Sequence, residues 1–125
     1  RVDRVAVQQA MVDADVLLII CNDSEAQLAS KVVEYMAVGR PILNIISIEK
    51  DTSVAALADY PSVLTIKRSK GTPSAELIDR LHRFLTDLPA VDARIPSLIR
   101  ERYSPVNITR QYEQLLGIGS LRDCA

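Results

Sequence analysis

The chain reads as an α/β protein, a Rossmann-like parallel sheet with helices on both faces. Three observations predict it. Apolar runs at 16–21, 42–46 and 62–66 alternate with helical stretches, the order of βαβ units with right-handed crossovers. The first two runs, "VLLIIC" and "ILNII", are nearly continuous, as expected of strands buried on both faces. The composition is 48% apolar with one Phe, four Tyr and no Trp, so Val, Leu, Ile and Ala must fill the core.

Each element has a local reason. Val2 to Val12 reads as a helix whose apolar period is interrupted by Gln8 and Gln9. Asp15 leads into a strand over Val16 to Cys21, followed by a small, polar loop from Asn22 to Ala29. Ser30 suits an N-cap for a helix carrying Val32, Val33, Tyr35 and Met36, stopped by Gly39. After Pro41, Ile42 to Ile46 forms the second strand. Asp51 or Thr52 starts a short helix through Leu57, ended before Tyr60-Pro61 because a residue preceding proline avoids the helical region. Ser62 to Ile66 is the third strand.

"KRSKG", 67–71, is a charged turn, and Thr72 with Pro73 supplies an N-cap and first helical residue. The stripe Leu77, Ile78, Leu81, Phe84, Leu85 and Leu88 has helical spacing. A proline-punctuated connection leads to Ser104-Pro105, which starts a last helix with Ile108, Tyr112, Leu115 and Leu116 inward and Gly117 at its end. Residues 1–117 thus form a partial Rossmann-like domain, and 118–125 a C-terminal tail.

Three strands are few for a doubly wound sheet, so the chain reads as the second half of one. Val16 to Ile20 would then be an unpaired apolar edge, which natural proteins avoid leaving open. The expected cover is polypeptide outside this chain or a second copy pairing through residues 16–20. The chain opens at Arg1 without Met, and an upstream region is expected.

Composition also excludes several functions. A net charge of −1 argues against a nucleic-acid binder, which carries a basic surplus. No basic amphipathic helix suits a membrane surface, and Val16 to Cys21 is too short to span a bilayer. Cys21 and Cys124 form neither a disulfide framework nor a metal site, which points to a reduced, cytoplasmic protein. His82, alone on its helix, reads as a surface residue rather than a metal ligand. Neither a Gly-x-Gly-x-x-Gly, a P-loop, a His-Glu-x-x-His nor a nucleophile elbow is present.

The chemistry concentrates in "DSEAQLASKVVEYMAVGRPIL", Asp23 to Leu43. A loop at the carboxyl end of a parallel strand that feeds a helix N-terminus is where open α/β sheets bind ligands. The first-turn amides around Ser30, Lys31 and Val32 lack partners within the helix and suit a diphosphate. Ala29 and Ser30 are small enough for phosphate to approach the backbone. Glu34, a turn inside, can accept from both hydroxyls of a ribose, since an ionised carboxylate offers only acceptors. Asp23 and Glu25 can meet sugar hydroxyls. A plainer account also fits: glutamate near a helix N-terminus is stabilising without a ligand, and Gly-Arg-Pro is an ordinary stop.

Resemblance adds to this reading. "ADVLLIICNDSEAQLASKVVEYMAVGRPIL", Ala14 to Leu43, resembles the signature of the glycosyltransferase family 4 C-terminal domain: an Ala-Asp strand, an acidic loop, then a helix ending Glu-Tyr-Met-Ala-x-Gly-x-Pro. "RERYSPVNITRQYEQLL", Arg100 to Leu116, is similar to the closing helix of these enzymes. The resemblance implies the second half of a GT-B C-terminal domain. It implies that Glu34 binds the donor ribose, that backbone from Leu28 through Ala29 and Ser30 to Lys31 holds the pyrophosphate, and that Glu25 or Asp23 stands for the family's first motif glutamate, which contacts the transferred sugar. The family places seven residues between its two glutamates. Here Ala26 occupies that position, and Glu25 lies one residue further out.

The implied activity is sugar transfer, with retention, from a nucleotide diphosphate sugar to an acceptor. No cofactor or essential metal is expected. The acceptor domain lies upstream, and the intact enzyme is cytoplasmic or peripheral at a membrane. This stretch alone is expected to be inactive. Two alternatives remain: a non-catalytic Rossmann-like interaction module, and a nucleotide-sugar 2-epimerase-like domain. Among other residues, Arg40 suits compensation of the preceding helix's dipole. Lys67 to Lys70 suits a solvated turn, with Arg68 and Lys70 as candidates for anionic membrane contact. Tyr103 and Tyr112 read as packing positions.

Overall fold

The computed structural model describes residues 3–21 and 30–117. Its elements are α1 (Arg4–Asp13), β1 (Leu17–Ile20), α2 (Ser30–Val38), β2 (Ile42–Ile46), α3 (Thr52–Ala56), β3 (Val63–Lys67), α4 (Ala75–Thr86), α5 (Ile95–Arg102) and α6 (Pro105–Leu115). The strands form one parallel sheet in the order β1-β2-β3, with Leu17 beside Ile42 and Ile42 beside Val63. The fold is α/β and Rossmann-like, as expected.

That order moves one way across the sheet, so two right-handed crossovers deliver α2 and α3 to the same face. There Leu17, Ile19, Ile42 and Ile46 pack with Val32 and Met36 of α2, and with Leu57, Tyr60 and Met11. The opposite face carries Leu18, Ile20, Leu43, Ile45, Leu64 and Ile66, because side chains alternate along a strand. The helix α4 contacts β3; its Leu77, Leu81 and Phe84, and Leu88 just beyond it, are half-buried without joining the main core.

At β1 the second face is open. Leu18 is 48% and Ile20 65% exposed, so β1 is buried on one face rather than both, contrary to its continuous apolar sequence. It is also a sheet edge, as expected of Val16 to Ile20.

Sequence patterning missed α5 altogether. Pro96 sits in its first turn, where a missing N–H costs nothing, so the prolines that suggested a bare connection are compatible with a helix start. This helix lies along α2, and Arg100 Nη1 donates to the Ala37 carbonyl at 2.7 Å. Arg100 therefore satisfies an end carbonyl of α2, the role expected of Arg40. Arg40 instead donates to the Val12 carbonyl, near the end of α1.

Other boundaries shift for local reasons. Ser74, not Thr72, caps α4, accepting from Leu77 N–H. Ile78 and Leu85 flank the apolar stripe and stay exposed. Ser104 caps α6 as expected, accepting from Asn107 N–H. Only Ile108 of its apolar set is half-buried, whereas Tyr112 and Leu115 are 63% and 82% exposed and Leu116 is also outward. Tyr103 packs against the core, and His82 is exposed.

Tyr60 links this packing to pH. It is buried, its hydroxyl donates to the Arg40 carbonyl at 2.8 Å, and burial pushes its pKa from 10.0 up to about 12. The folded state holds the proton that the unfolded chain releases first. Stability is thus whole below pH 10 and falls as pH climbs toward 12. Replacing Tyr60 by Phe is expected to cost about 1 kcal/mol at neutral pH and to flatten this alkaline decline, as urea melts across that range would show.

Candidate functional site

Parallel strands bring their carboxyl ends to one rim, and α2 returns from the rim beside β1. Asp23, Glu25, Leu28 and Ala29, which the sequence places in that loop, lie outside the described residues. Ser30, Lys31 and Glu34 lie on α2. Ser30 is the first described residue of α2 and is already helical rather than a cap. The amides of Ser30, Lys31 and Val32 lie at the described N-terminal end of the helix, toward the positive end of its dipole.

The helix divides into two stripes. Val32 and Met36, four residues apart, are buried in the core. Glu34 and Ala37 face a cleft of about 400 Å³ lined also by Gln8, Met11, Val12, Val38 and Arg100. The Glu34 side chain is 39% exposed, and Lys31 Nζ pairs with its Oε2 at 2.7 Å. The Lys31 side chain is thus paired with Glu34, whereas the expected pyrophosphate contact was with its backbone. An exposed i,i+3 pair of this kind is worth at most a few tenths of a kcal/mol, so a stronger anion can draw the ammonium away. The cleft touches Glu34 but neither Ser30 nor Lys31; among the described residues the ion pair joins the carboxylate to that end of the helix.

Sequence reasoning missed a buried polar cluster just inside the rim. Asn44 Nδ2 donates to Ser53 Oγ at 2.9 Å and to Thr65 Oγ1 at 3.4 Å. Cys21 Sγ approaches Asn44 Oδ1 at 3.3 Å and Ser53 Oγ at 3.2 Å. Asp51 caps α3 by accepting from Ser53 N–H at 2.8 Å. Asn44, Ser53 and Asp51 are all buried. The signal was present as the single polar residue inside "ILNII". Burial pushes the Cys21 thiol pKa up, so it stays protonated and is a poor nucleophile.

No three His, Cys, Asp or Glu residues among those described are grouped to hold a metal ion. No described helix is long and apolar enough to cross a membrane. No family model, curated protein or solved structure matches the chain.

Proposed function

We propose that the chain is the donor-binding portion of a retaining glycosyltransferase that uses a nucleotide diphosphate sugar. The observation that carries this reading is Glu34: a half-exposed carboxylate near the N-terminal end of the helix that returns from the carboxyl rim, within reach of Lys31. In this reading the amides at the N-terminal end of α2 receive the diphosphate, and Glu34 accepts from the ribose hydroxyls. The amides are fixed before the substrate arrives, so they stabilise charge building on the leaving diphosphate without reorganising. Asp23 or Glu25 contacts the transferred sugar.

The rest of the donor domain pairs along β1, whose edge and exposed Leu18 and Ile20 await a neighbouring strand and a covering helix. A second copy of the chain is the other candidate for that edge. Acceptor binding belongs to a separate domain.

The test is binding of uridine and guanosine diphosphates to the protein with its donor domain complete. Glu34→Ala is expected to weaken the preferred nucleotide about 10- to 100-fold, the worth of hydrogen bonds to a charged group. Glu76→Ala, on exposed α4, should leave affinity unchanged. Equal affinity in wild type and Glu34→Ala would remove the basis of the proposal. The exposed Lys31 pair contributes little to stability, so a folding defect will not confuse the result.

A further inference from the structure

The ion pair that joins Glu34 to the N-terminal end of α2 occupies part of the surface that a ribose would use. Lys31 Nζ donates to Glu34 Oε2 at 2.7 Å, so one of the two carboxylate oxygens is engaged before any sugar arrives. A vicinal diol donates two hydroxyl hydrogens, and a carboxylate meets it best with one oxygen for each. A ribose that uses both oxygens must share Oε2 with the ammonium or displace it.

The helix geometry gives the ammonium a second destination. Side chains on a helix lean toward its N-terminus, whereas Lys31 turns back along α2 to reach a residue three positions later. Three residues rise only about 4.5 Å, and the flexible stem of a lysine spans that in either direction. Released from Glu34, the side chain swings toward the amides of Ser30, Lys31 and Val32. Both partners are half-exposed, so water screens the pair and it is weak. A diphosphate beside those amides offers several ionised oxygens and a stronger, charge-assisted bond.

We infer that Lys31 couples the two halves of donor recognition: its ammonium leaves Glu34 for the diphosphate, and the carboxylate so released accepts both ribose hydroxyls. The coupling rests on the nucleotide-sugar reading of Glu34 and gives a role to a side chain which that reading leaves out. Lys31 contacts the phosphate directly and is a positioning residue for the ribose, acting through Glu34. A nucleoside without phosphates gives the ammonium nowhere to go, so it binds against the ion pair. A nucleoside diphosphate frees Glu34 as it binds, so its phosphates contribute more than their own contacts. The two ends of the ligand are thereby linked, each favouring the other.

Affinities of a nucleoside and of its diphosphate, measured by NMR titration on the protein with its donor domain complete, test the coupling. The base is uracil or guanine, whichever diphosphate binds wild type more tightly. Lys31→Met, which keeps the stem and removes the charge, should weaken the diphosphate about tenfold and leave the nucleoside unchanged or up to about twofold tighter. Lys31→Arg should hold the diphosphate within about threefold of wild type. Arg83→Ala, on α4, should change neither ligand. Discrimination against the 2′-deoxynucleoside diphosphate is a second measure that needs no weak ligand: Lys31→Met should keep it and Glu34→Ala should abolish it. Equal weakening of nucleoside and diphosphate in Lys31→Met, or loss of that discrimination, would make Lys31 only a prop for the carboxylate and overturn the coupling. Unchanged diphosphate affinity in Lys31→Met, with Glu34→Ala still weakening it, would overturn the coupling and leave the donor reading standing. Unchanged affinity in Glu34→Ala would remove both.

Discussion

Gly39→Ala is expected to destabilise the chain by about 3 kcal/mol, through backbone strain and overpacking together. Gly39 ends α2 at a φ of 82°, a left-handed conformation that costs an L side chain about 1–2 kcal/mol. A Cβ there would stand 2.4 Å from Pro96 Cγ on α5. Pro96 cannot step aside easily, because its ring belongs to a helix tied to α2 through Arg100. Gly71 separates the two effects: its φ is 105°, but a Cβ would meet nothing within 4 Å. Gly71→Ala should therefore cost only the backbone share. In urea melts, Gly39→Ala should lose at least 1 kcal/mol more than Gly71→Ala. Pro96→Ala in the Gly39→Ala background should return part of that difference. Equal losses at the two glycines would mean that α5 does not approach α2 as closely as described.

Replacing Asn44 by Leu is expected to cost about 2–3 kcal/mol, although it puts an apolar residue of similar size into an apolar strand. The cost comes from what Asn44 leaves behind. Ser53 Oγ loses its Nδ2 donor and Cys21 Sγ its Oδ1 neighbour, both in a buried setting; the two keep only each other at 3.2 Å, and buried polar groups left short of partners carry a desolvation penalty. Adding Ser53→Ala removes the hydroxyl that has lost its Asn44 donor, so the second change should add less than about 1 kcal/mol. Asn44→Ala should be worse than Asn44→Leu, because it adds a cavity to the same loss. A neutral or stabilising Asn44→Leu would show that the cluster is not the source of stability argued here.

These two predictions mark where reading along the chain stopped short. Gly39 was legible as a helix stop, because a left-handed C-terminal residue is a local need that glycine meets. Its second role was not legible, because Pro96 is far away in sequence and α5 was itself missed. Asn44 was visible only as an oddity within "ILNII". Its partners Cys21, Ser53 and Thr65 come from three other segments that meet when the sheet registers. Arg40 and Arg100 exchanged roles for a similar reason: which carbonyl an arginine reaches depends on which helix end is packed beside it.

The candidate site was readable as far as it is local. Ser30, Lys31 and Glu34 fall on one helix, so their spacing already placed them within a turn or so of each other. The cleft beside Glu34 was not readable, since α1 and α5 supply most of its other walls.

By itself the sequence determined the α/β class, the parallel order of aliphatic strands and the helix at Glu34. These depend on periodicity, capping and composition, which act between near neighbours. Tertiary structure alone decided the face on which each strand is buried, the helix that closes on Gly39, the partners of Asn44 and the cleft beside Glu34. Those depend on surfaces from distant segments meeting, and no local pattern specifies which surfaces will meet.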